Sequence, residues 1–169
     1  KPELLPPALF LVYGIPVFYG ILTRPGLFRP KIPFFSGKKN ASAVQISFEL
    51  LDACIYDAVN TLLKLGGYLV LFSILAEIMA LLPFLPEQTA ALAGGLLEIT
   101  TGIPGIISLF PLKTACQILF PLTAFGGLSA MAQTSSVLKG SGLSLRDCFI
   151  PKIIIAVLTF LTGCLILRN

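Results

Sequence analysis

Glu98 is followed by hydroxyls at Thr100 and Thr101 and then by Gly102, inside an otherwise apolar stretch. Further along, the pair Gly126–Gly127 leads into Ser129, Gln133 and Thr134, again among apolar residues. These are the groups with chemistry to offer. Hydroxyls and an amide both donate and accept hydrogen bonds. A carboxylate at the centre of a bilayer costs at least ~2.5 kcal/mol even on the lenient insertion scale, so it must face protein, paired or protonated. Glu77 is a second carboxylate in an apolar run, nearer a helix end. Histidine is absent, which removes His general-base chemistry, zincin motifs and Ser–His proteolysis. There is no paired acidic metal motif, and no two of Cys54, Cys116, Cys148 and Cys164 form a C-x-x-C pair. The cysteines read as small apolar fillers. The expectation is therefore a protein that is not an enzyme and holds no metal or cofactor.

The composition says where such groups would work. Hydrophobic residues make up 56% of the 169 residues and charged residues 12%, against about 25% charged in soluble domains. Mean hydropathy is +0.92. A soluble domain of this size could not hide that much apolar surface, so the chain belongs in a lipid bilayer. Lys1–Pro2–Glu3 ahead of an apolar run is no signal peptide, and the chain reads as a piece of a longer membrane protein. The net charge is +4, and Arg24, Arg29, Lys31, Lys38 and Lys39 fall together with no acid among them. They follow an apolar segment directly, so the positive-inside rule explains them and nucleic-acid binding is not expected.

The elements that must position the polar groups follow from apolar runs and breakers. Residues 1–40 hold a transmembrane helix and a basic cytoplasmic loop; Pro16 is expected to kink the helix. Residues 41–65 place Val44, Phe48, Leu51, Ile55, Val59 and Leu62 on one helical face. With Glu49, Asp52 and Asp57 against Lys64, that amphipathic helix is too acidic for anionic lipid and is expected at the interface, packed on protein. Gly66–Gly67 is expected to bend the chain into a second membrane helix. Residues 66–169 then form a membrane domain with a re-entrant hairpin at 84–111, a broken helix at 113–138 and a final helix at 147–168. In the hairpin, Thr89 to Ile99 is half a bilayer long, and Thr100 to Gly105 reads as a helix-breaking cluster. Phe125–Gly126–Gly127 breaks the second unit. Ser144 suits an N-cap for the final helix, and Lys152 is placed to snorkel near its start.

Backbone broken at bilayer depth cannot face lipid and must line protein or a water-filled cavity. Half-helix ends aim partial charges there, as in the binding sites of secondary transporters. The candidate solute-binding residues are Glu98, Thr100, Thr101 and Gly102 on the hairpin, and Gly126, Gly127, Ser129, Gln133 and Thr134 on the broken helix. Gly126–Gly127 also admits a plain reading as a helix-packing contact. The fold class expected is all-α, a polytopic membrane protein.

The segments LLEITTG at 96–102, FGGLSAMAQTSSVL at 125–138 and ELLDACIYDAVNTLLKLGGYLVLFSIL at 49–75 resemble the C-terminal half of the sporulation integral membrane protein YlbJ family, with its nucleoside-recognition (GATE) domain. Residues 95–102, GLLEITTG, carry one more Leu between Gly and Glu than the family motif; residues 124–133 fit without a gap. The resemblance implies half of an inverted-repeat core similar to that of concentrative nucleoside transporters. Glu98 to Gly102 would be the hairpin tip and Phe125 to Gln133 the unwound helix. It further implies a role in endospore formation, moving a small polar anion such as dipicolinate across the cell membrane or the outer forespore membrane of a spore-forming bacterium. The family has a preceding half with its own repeat, so the partner expected is that N-terminal half or a homologous subunit. The other reading is a non-transporting gate or assembly module that regulates a partner membrane protein, docking through residues 41–65.

Overall fold

The computed structural model describes residues 4–23, 47–138 and 144–167. The basic loop at 24–40, the start of the amphipathic segment at 41–46, Lys139 and Arg168 lie outside the described residues. The protein is an all-α membrane protein. Among the described residues there is no strand, and four helices are long and apolar enough to cross a bilayer.

Helix α1, Leu5–Thr23, starts at Pro6 and Pro7, where missing N–H groups cost nothing. Pro16 does not break it. A π turn over Phe10–Gly14 precedes the proline, with the Ile15 N–H donating to the Phe10 carbonyl. In that wider register the donor for the Leu11 carbonyl would be residue 16, which has no N–H. The Thr159 hydroxyl donates to that carbonyl instead, at 3.4 Å, and both residues are fully buried. Four residues on, a side chain at Gly163 would lie 3.7 Å from Leu11 Cδ1. The small pair Thr159 and Gly163 lets the two backbones approach.

Helix α2, Phe48–Leu81, is capped by Ser47, whose Oγ accepts from the Leu50 N–H at 3.2 Å. It runs unbroken for 34 residues, about 51 Å. The expected bend at Gly66–Gly67 is absent, and so is the division into a helix at 41–65 and another beyond it. Glycine weakens a helix by about 1 kcal/mol but keeps its N–H, and with no proline nearby the hydrogen-bond ladder continues.

The hairpin is α3, Glu87–Leu97, and α4, Ile99–Leu109. Thr100 to Gly105 is helical, contrary to expectation; the turn is the single residue Glu98, with φ −145° and ψ 113°. Its carboxylate caps α4, and that restart outweighs Gly102, Pro104 and Gly105 as breakers. The arms run antiparallel and nearly touch. A Cβ on Gly102 would fall 2.2 Å from the Gly95 Cα, while one on Gly105 would meet the Ala91 Cβ at 3.4 Å.

Helix α5, Leu112–Phe125, and helix α6, Gly127–Leu138, are the two halves of a broken span. Gly126 and Gly127 have φ of 85° and 75°, in the left-handed region that glycine enters without strain. Helix α7, Leu145–Ile166, opens on a capping box between Ser144 and Asp147. It packs along α5, while α2 covers α3 and α6. The core is small, with Ile106, Ala115, Phe125 and Met131 among its apolar members. Most outward Leu, Ile, Val and Phe side chains are exposed, as a lipid-facing surface requires.

Candidate functional site

Each hairpin arm has eleven residues, about 16 Å, which is half of a ~30 Å hydrocarbon core. Each arm is thus about half as long as a span needs to be. The hairpin tip meets the break in the second span. A side chain on Gly127 would lie 3.3 Å from the carbonyl oxygens of Leu96 and Leu97 and 3.5 Å from the Ile99 nitrogen. The two irregular points of backbone are thus in contact, each shielded by protein from lipid that could not satisfy its polar groups.

Glu98 is 4% exposed. The Thr101 N–H donates to its Oε2 at 2.9 Å, and the Thr100 hydroxyl donates to the same oxygen. The Thr101 hydroxyl lies 3.2 Å from that oxygen and 3.0 Å from Ser73 Oγ on α2. Its single proton serves one of them at a time. All the described donors meet Oε2, and none among the described residues meets Oε1. The carboxylate also sits at the positive end of the α4 dipole. Among the described residues, no three His, Cys, Asp or Glu side chains converge as a metal cage.

The candidate residues divide by place. Glu98, Thr100 and Thr101 form one cluster, to which Ser73 belongs. Gly102 serves the close crossing with Gly95. Gly126 and Gly127 form the break, and Gly127 touches the hairpin. Ser129 is buried and accepts from Gln133 Nε2 at 3.2 Å. Thr134 spends its proton on the Ala130 carbonyl, at 2.7 Å. Gln133 and Thr134 line a separate hollow of about 340 Å³ beside Leu65, away from the hairpin cluster.

A larger cavity, about 610 Å³, lies between α2 and the hairpin. Glu77, Glu87 and Ser108 line it together with Thr101 and small residues such as Ala76 and Gly94. It therefore touches the Glu98 cluster through Thr101. Glu77, read from sequence as a lone carboxylate, faces this space.

Two residues escaped the sequence reading. Ser73 looks like any membrane serine until α2 sets it against Thr101. Lys152 was expected to snorkel, yet its Nζ lies 3.6 Å from where a Gly126 side chain would begin. That places the ammonium at the C-terminal end of α5. Nothing in the local sequence signals this, because the contact joins two helices. No protein-family model, no curated protein and no solved structure matches the chain.

Proposed function

We propose that this chain is half of the core of a secondary transporter for a small polar anion. The observation that carries the reading is the contact between the Glu98 turn and the Gly126–Gly127 break, two non-helical points of backbone that meet among apolar helices. Such paired discontinuities are how transporters build a solute site in a bilayer. The likeness to the YlbJ family supports dipicolinate as the solute, a place in endospore formation, and the cell or outer forespore membrane as the location. It also supports a second half, in the same protein or in a homologous subunit, that completes the site.

Glu98 supports a coupled mechanism. An ionised carboxylate repels an anionic solute, so the acid works here when a proton or a cation neutralises it. With its described donors all on Oε2, Oε1 is the atom left for that role.

A second reading is a non-transporting assembly module. The exposed Phe48, Leu51, Ile55 and Leu62 on α2 favour it as a docking stripe. Uptake of labelled pyridine-2,6-dicarboxylate into proteoliposomes that hold the protein with both halves of the core separates the two. The transporter reading expects saturable uptake, abolished when Gly126 and Gly127 are both replaced by Val. Protein that inserts normally and carries nothing favours the assembly module.

A further inference from the structure

We infer that Lys152 is the cation that recognises the solute's carboxylate, a role that rests on the transporter reading above. Lys152 is the eighth residue of α7, about 10 Å along a helix that spans the membrane. At the centre of a membrane helix an ammonium costs about 2.5–3.5 kcal/mol on the insertion scale, and Lys152 lies about one turn short of the midpoint of α7. It is half-buried, and its Nζ rests over Gly126, the left-handed residue that ends α5.

The α5 end alone does not neutralise it. A helix C-terminus offers about half an elementary charge, so the ammonium keeps net positive charge beside the break. No ion pair between Lys152 and Glu98 or any other acid is formed among the described residues. Gly126 has no side chain to cover the ammonium, and Gly127, next in the chain, rests on the hairpin tip. Lys152 and Glu98 therefore flank one break, the base at a helix C-terminus and the acid at a helix N-terminus. The carboxylates Glu77 and Glu87 line the cavity between α2 and the hairpin, whose lining does not include Lys152 or Gly126. With Glu98 neutralised, Lys152 is the charge left at the break for an anion to meet.

The test uses two probes in proteoliposomes, pyridine-2,6-dicarboxylate and the neutral pyridine-2-carboxamide. Lys152→Gln should raise the half-saturation concentration for the dicarboxylate roughly tenfold or more, the scale of a lost hydrogen bond to a charged group. It should also erase the preference for the dicarboxylate over the amide, and Lys152→Arg should keep that preference. A second measurement needs no variant: the dicarboxylate should slow labelling of Lys152 by an amine reagent, read by mass spectrometry, and the amide should not. Wild-type half-saturation in Lys152→Gln overturns the inference, as does an equal loss for both probes, which marks a purely structural cap. Wild-type protein that carries neither probe when both halves are present overturns the transporter reading, and this inference with it.

Discussion

Glu98 has two duties that a single substitution can separate. As an N-cap it needs an oxygen to accept from the Thr101 N–H and the threonine hydroxyls, and those described bonds all fall on Oε2. As a coupling group it needs a second oxygen that takes up a proton or a cation. Glutamine keeps one side-chain oxygen and almost the same volume, so Glu98→Gln preserves the cap but can neither take up and release a proton nor bind a cation as a carboxylate does. Insertion and melting temperature should stay close to wild type, since losing an N-cap entirely costs only about 1 kcal/mol. Uptake of the dicarboxylate should fall to background. Wild-type uptake by Glu98→Gln would show that Glu98 is only a cap, and the coupled mechanism would be lost. Alanine is a poorer choice here, because it removes both oxygens and confounds the two duties.

At the scale of elements, the hairpin and the broken helix were legible as interruptions of apolar runs. Their exact turns were not. Thr100 to Gly105 contains two glycines and a proline and reads as a breaker cluster, yet it is helix, because an extended residue at Glu98 with a carboxylate on the Thr101 N–H restarts the ladder. Gly66–Gly67 reads as a bend and is plain helix, because no side chain, cap or proline there offers the backbone another partner. Gly126–Gly127 reads as a break and is one, since both residues are left-handed. Composition alone does not distinguish these three cases; the Glu98 cap and the left-handed backbone at Gly126–Gly127 do. The division of labour among hairpin glycines likewise depends on the fold. Gly102→Ala would place a methyl 2.2 Å from the Gly95 backbone, where nothing flexible can yield. It should lower stability by about 3 kcal/mol, the upper end for overpacking. Gly105→Ala meets only the Ala91 methyl at 3.4 Å and should be neutral, or stabilising by up to ~1 kcal/mol through helix propensity. Melting in detergent measures both. Equal tolerance of the two changes would mean the arms do not cross so closely.

The whole molecule is constrained by lengths. Helix α2 has 34 residues, about 51 Å, and even a 40° tilt projects it to about 39 Å, well beyond a ~30 Å core. One end must leave the hydrocarbon. A re-entrant hairpin fixes which, because arms of eleven residues are half a span long and return to the side they enter, next to the C-terminal end of α2. The surplus length is therefore at the Phe48 end, where Glu49, Asp52 and Asp57 lie exposed. Counting crossings through α1, α2, the paired α5 and α6, and α7 puts residues 49 and 146 on one face of the membrane and residue 88 on the other. In sequence the basic residues between 24 and 39 fall between α1 and α2, so the positive-inside rule predicts that the first face is cytoplasmic. Single cysteines at Glu49, Gln88 and Arg146, in a background with Cys54, Cys116, Cys148 and Cys164 replaced by alanine, test this arrangement. An impermeant thiol reagent added outside intact cells should label position 88 and spare positions 49 and 146 until the membrane is opened. Labelling of positions 88 and 146 from the same side, with position 49 spared, would mean that the hairpin crosses the bilayer, and then its tip and the Gly126–Gly127 break could not share a mid-membrane site.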